Sequence, residues 1–112
     1  MVQGFVAVVA VVVLIAMSYR ANLKFRHEDR LPMQWSFSGS VNWTAPRPIA
    51  LAFTPTLATF ILVAVVALSV FVEPRPGQEG LEVPVIAFIA LVFIGAHALH
   101  LWLVDKSLRR KD

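Results

Sequence analysis

Cysteine is absent from the chain. That excludes a disulfide framework, a thiolate zinc site, an iron–sulfur cluster and a cysteine nucleophile. Glycine is scarce, with five in 112 residues and none at phosphate-loop spacing, so no nucleotide cradle is expected. Charge is missing from long stretches: residues 1–19, 48–72 and 83–104 contain no Asp, Glu, Lys or Arg. What fills them is apolar. Hydrophobic residues make up 58% of the chain, and the mean hydropathy is +0.73. A charge-free apolar run of about 18 residues or more is long enough to cross the ~30 Å hydrocarbon core as a helix. The composition therefore describes a multi-pass membrane protein with too little chain outside its spans for a soluble catalytic domain of ordinary size.

The expected fold is all-α, a single transmembrane domain over residues 1–112 built as a bundle of three membrane helices. The first span covers about 2–19 and is rich in valine. Lipid forces internal pairing of every backbone amide, which overrides valine's modest helix propensity. A cleaved signal peptide fits less well, because no Lys or Arg precedes the apolar run and the run is long. The second span covers 49–72, with Pro48 suited to its first turn and Pro55 inside it. An interior proline deletes a backbone hydrogen bond, and neighbouring threonines (Thr54, Thr56, Thr59) or adjacent helices are expected to satisfy the freed carbonyl. The third span covers 85–104, opened by Pro84, with Trp102 near its far end.

Between the first two spans lies the one sizeable polar segment, 20–47. Pro32, Gly39 and Pro46 are expected to fix turns there, and Asn42 to close one through its side chain. Trp35, Trp43 and Phe37 are expected to lie at the headgroup level, where amphipathic rings are favoured. This loop carries Arg20, Lys24, Arg26, Arg30 and Arg47, and the tail 105–112 carries Lys106, Arg109, Arg110 and Lys111. The connection 73–84 carries only Arg75 against three glutamates. The positive-inside rule then places loop and tail in the cytoplasm, with the connection and the amino terminus outside. Although the pI is near 10, this basic charge flanks apolar spans, so membrane orientation explains it and no nucleic-acid partner is expected.

Two polar side chains interrupt the third span. His97 and His100, at i and i+3, share a helix face. Ionisable residues in a span invite a functional reading, but both lie within about 10 Å of the span's end, where a structural or interfacial hydrogen bond is the simpler role. A contact to a partner subunit, or metal, haem or proton traffic, are the sharper alternatives. Small residues form stripes at Ala87, Ala90, Ile94 and His97, with Gly95 and Ala98 nearby, and at Gly4, Ala7 and Ala10. Such stripes let helices approach closely, within the bundle first and in an oligomer second. Neither paired buried carboxylates nor a Ser/His/Asp arrangement is discernible. No enzymatic activity and no cofactor or metal are expected.

The segment from Asp29 to Arg47 resembles the loop of a small bacterial membrane domain of unknown function, found at the amino-terminal end of SdpI-type immunity proteins. Leu31-Pro32, Trp35, Gly39, Asn42 and Arg47 occupy the places of that family's pattern, and Pro55 matches a proline early in its second helix. The family commonly has histidine and asparagine around the aromatic, where this chain has Gln34 and Ser36. The resemblance covers the first two spans and their loop. It implies a signalling or immunity protein of the bacterial inner membrane that binds a partner through residues 31–47. Pro32, Trp35, Gly39, Asn42, Trp43 and Arg47 are then the candidate contacts, and Pro55, His97 and His100 the polar candidates inside the membrane. The expected partners are the lipid bilayer and either another protein or a second copy of this chain. An accessory subunit of a larger membrane complex is the second reading. A third is an oligomeric transporter or channel with Pro55 and the threonines lining a path.

Overall fold

A computed structural model describes residues 2–73, 76–77 and 80–110. Arg75 and Lys111, both part of the charge asymmetry, lie outside the described residues. Three helices long and apolar enough to cross a membrane make up most of the chain: α1 (Val2–Lys24), α2 (Arg47–Phe71) and α3 (Glu82–Arg110). Each packs on the other two. The molecule is 56 Å along its longest axis, well beyond the ~30 Å of bilayer hydrocarbon. The longest helix rises about 43 Å, so the excess comes from helix ends that outrun the apolar windows together with the loop packed on them. α1 continues five residues past the expected end at 19, and α3 begins at Glu82 and continues to Arg110. Ion pairing favours these polar extensions. Asp105 of α3 accepts from Arg109 one turn on, and it meets Lys24 Nζ of α1 at 3.2 Å.

The expectation of an all-α chain is corrected in the loop between α1 and α2, which contains a β-hairpin. Strand β1 (Arg30–Trp35) pairs antiparallel with β2 (Val41–Pro46). The physical reason is a largely period-2 pattern. Leu31, Met33 and Trp35 face the bundle and Arg30 and Gln34 are exposed, with Pro32 also buried where the pairing register shifts. Pro32 and Pro46 are strand residues, so they do not fix turns. Both strands of a two-stranded sheet are edges, where a missing amide is tolerated. Asn42 is likewise an exposed residue of β2 and closes no turn.

The turn is made at Ser36–Ser40. Gly39 N–H donates to Ser36 O at 3.0 Å, and Ser36 N–H donates to Ser40 O at 2.9 Å. Gly39 has φ +91°, a region that costs other residues heavily. Its missing Cβ would also stand 3.2 Å from an Arg110 Nη1. Gly39→Val is therefore expected to destabilise the chain by about 1–2 kcal/mol, read as a lower unfolding midpoint in detergent.

Two apolar clusters hold the bundle. At the hairpin end, Leu31 and Ala45 of the hairpin join Ala21, Phe25, Ala50, Leu51 and Val104. At the far end Ala7, Ala10, Leu62, Ile86 and Ala90 pack together. The small-residue stripes thus serve the intramolecular role, since Ala7, Ala10 and Ala90 are buried between helices. Gly4 and Gly95 are not part of that packing: among the described residues, no atom from beyond their own helix turn comes within 4 Å of their missing Cβ.

Candidate functional site

The hairpin lies docked on the ends of the helices, and its inner face explains half of the sequence motif. Trp35 Nε1–H donates to Ser107 Oγ of α3 at 2.6 Å, and its ring meets His100 edge-on with centroids 5.8 Å apart. His100 Nε2 lies 3.1 Å from Pro32 O, a geometry in which the imidazole donates to the strand's carbonyl. Leu31 is fully buried beneath them. Arg47, the first residue of α2, ties the base of the loop to α1. Its Nε donates to Asn22 Oδ1 at 2.9 Å, and one Nη donates to the carbonyls of Arg26 and Glu28 at 2.8 and 2.6 Å. Its own amide donates to Asp29 O. Across the strands, Arg30 bonds the side chain and carbonyl of Thr44. Pro32, Trp35, Gly39 and Arg47 therefore build and seat the hairpin.

The outer face is different. Phe37 at the turn is fully exposed, Trp43 is 51% exposed and Val41 is 43% exposed. Trp43 is held by its indole N–H donating to Gln34 Oε1, its cross-strand partner, at 2.9 Å. Three serine hydroxyls (Ser36, Ser38, Ser40) cluster at 2.8–3.3 Å beside Phe37. A rigid hairpin thus carries three apolar side chains clear of the bundle. Among the motif residues, Trp43 lies on this face and Asn42 is exposed beside it; Phe37 and Val41 were not among the candidates. The alternation does not find them: Phe37 is in phase with Leu31, Met33 and Trp35 and clears the bundle because it sits in the turn, and Val41 is the cross-strand partner of Trp35 beside a register shift.

A second polar constellation crosses the bundle between its two apolar clusters. Pro55 has no amide to give to Leu51 O, the carbonyl four residues back. Ser18 Oγ of α1 donates to that carbonyl at 2.6 Å. His97 Nε2 of α3 lies 2.8 Å from the same hydroxyl oxygen. With the hydroxyl proton committed to Leu51, Ser18 Oγ accepts, which puts the ring proton of His97 on Nε2. His97 is completely buried, and its Nδ1 has no partner. One hydroxyl therefore joins all three helices. Of the two rescues expected for Pro55, the adjacent helix supplies the one at the freed carbonyl, through Ser18 of α1, while Thr59 bonds Pro55 O within α2. Ser18 carried no sequence signal of its own.

Ser18→Ala is expected to cost about 1–2 kcal/mol, because it strands a carbonyl and an imidazole N–H in the bundle. Pro55→Ala restores an amide at the proline's position. In the Ser18→Ala background it is expected to be more favourable, by about 1 kcal/mol, than in the native chain. Denaturant titration of the four proteins measures that coupling, and strict additivity would contradict the arrangement.

Between α1 and α2 a lengthwise groove of about 590 Å³ opens on the outside of the bundle. Arg47, Asn22 and Tyr19 line its mouth at the hairpin end, and Ile15, Leu51 and Pro55 line it deeper. Neither a protein-family model, nor a curated protein, nor a solved structure matches the chain.

Proposed function

We propose that the chain is a non-enzymatic membrane binding protein that presents its 31–47 hairpin to a protein partner at the membrane surface. The observation that carries this reading is the combination of a seated inner face with an exposed apolar tip of Phe37, Val41 and Trp43. Ordering a loop before its partner arrives removes that entropic cost from binding. Exposed aromatics on a rigid support are the residue type that anchors interfaces. The resemblance of residues 29–47 to the SdpI-type immunity and signalling domain supports the same role. The Lys/Arg asymmetry supports a cytoplasmic position for the hairpin in a bacterial inner membrane.

The accessory-subunit reading has less support, since the alanines that would serve it are largely consumed inside the bundle. Gly95, Ala96 and Ala98 remain exposed on α3 as a surface for such a contact. Site-specific photocrosslinking in native membranes separates the two. A discrete protein adduct from positions 37 and 43, absent from position 95, is the expected result. Adducts from position 95 alone would favour the accessory role. Lipid adducts alone at 37 and 43 would sink the partner-binding reading.

A further inference from the structure

Of the described basic residues at the bundle's end, Arg47 alone lines the groove between α1 and α2. Lys24 and Arg109 share the Asp105 carboxylate. Arg47 pairs with no carboxylate among the described residues; its donors meet the amide oxygen of Asn22 and two backbone carbonyls. These contacts orient the guanidinium and leave its charge unneutralised. Its Nη2 has no acceptor among the described residues, and the side chain lines the mouth of the groove between α1 and α2.

The groove's dimensions and polarity run in the same sense. It extends along α2 from Arg47 to Thr59, a rise of about 18 Å at 1.5 Å per residue, comparable with the ~15 Å hydrocarbon depth of one leaflet. Its one charged residue, Arg47, lies at the hairpin end beside Asn22 and Tyr19. Further along, Ile15, Leu51, Ala52 and Pro55 alternate with the hydroxyls of Ser18, Thr56 and Thr59, and those of Ser18 and Thr59 are already bonded to the carbonyls of Leu51 and Pro55. Ala52 and Thr56 are small residues on its α2 side, exposed to whatever fills the space. A positive head site above an apolar trough one leaflet deep matches an amphiphile with an anionic head and an acyl chain. Arginine suits a phosphate head in particular, because its planar donors match two oxygens at once.

We propose that this groove holds one anionic phospholipid, its phosphate at Arg47 and one acyl chain against Leu51 and Pro55. The site shares only Arg47 with the partner-facing 31–47 segment: no residue of 31–46 lines it. The lipid covers the α1–α2 seam beside Ser18 and Leu51, and it links the seating of the loop base to the charge of the surrounding leaflet.

The test is lipid retention by the full chain, purified in mild detergent and titrated with phosphatidylglycerol or phosphatidylcholine, with adducts counted by native mass spectrometry. One phosphatidylglycerol per chain is expected, retained roughly fivefold better than phosphatidylcholine, as one cation–headgroup contact supplies. Ala52→Phe fills the trough and leaves the Arg47 contacts in place, and it is expected to reduce phosphatidylglycerol retention to the phosphatidylcholine level. Arg47→Gln is expected to abolish the preference. Equal retention of the two lipids by the native chain would overturn the proposal. So would a preference that survives either substitution, since that would place the anionic lipid elsewhere on the basic end. If Arg47→Gln does not fold, the Ala52→Phe comparison decides alone.

Discussion

Replacing His97 with alanine is expected to lower the stability of the chain by about 2–3 kcal/mol. The side chain is wholly buried and makes the one contact of α3 with the Ser18 hydroxyl. Its removal deletes ring packing between the two apolar clusters and leaves a hole that the helices fill only in part. The lost hydrogen bond adds a smaller share, because such bonds inside membranes average well below those packing costs. His97→Gln keeps a donor able to reach Ser18 and is expected to recover part of the loss. A denaturant titration in detergent distinguishes the two variants. Equal stability of His97→Ala and the native chain would show that α3 is not held at this point.

Trp35→Ala has the second large expected effect, and it acts on presentation more than on the bundle. The indole supplies the bond to Ser107, the edge contact to His100 and part of the packing against the Leu31 cluster. Its loss is expected to cost about 2 kcal/mol, less than for a fully buried tryptophan because the side chain is partly exposed. The three spans persist, since their helices pack directly on one another. Crosslinking from position 37 is expected to become diffuse as the tip loses its fixed placement. A Phe37→Ser chain is expected to show the opposite pattern, with native stability and no partner adduct. If Trp35→Ala left both stability and crosslinking unchanged, the hairpin would not depend on its seat.

Much of this architecture is legible in the sequence because lipid imposes a simple rule. A long charge-free run must be helical to pair its own backbone, so the spans at 2–19, 49–72 and 85–104 emerge directly from where charge is missing. The helix ends are not legible in that way. Residues 20–24 and 105–110 are polar and remain helical through contacts such as Lys24 with Asp105, which join sites distant in sequence. The hairpin was hidden by composition. Prolines at 32 and 46 read as turn formers, although the alternation of Leu31, Met33 and Trp35 already carries the strand. The candidates Pro32, Trp35, Gly39 and Arg47 are set apart in the sequence by residue type, but their roles in seating the loop depend on Ser107, His100 and Asn22. Ser107 and Asn22 announce nothing by themselves, and His100 stands out only as a polar residue in an apolar run. Pro55 and His97 stand out as anomalies in apolar runs, whereas Ser18, which joins them, is one serine near the end of a span.

The seating of the hairpin is tested most directly at the tryptophan indoles. The chain has three tryptophans, so the native protein labelled at its indole nitrogens gives three well-separated NMR signals, assigned by single Trp→Phe replacements. The Trp35 signal is expected to exchange slowly with solvent, and Ser107→Ala is expected to shift that signal and leave Trp102 in place. A Trp35 indole that exchanges as fast as an exposed one, unmoved by Ser107→Ala, would mean that the hairpin is not seated on α3.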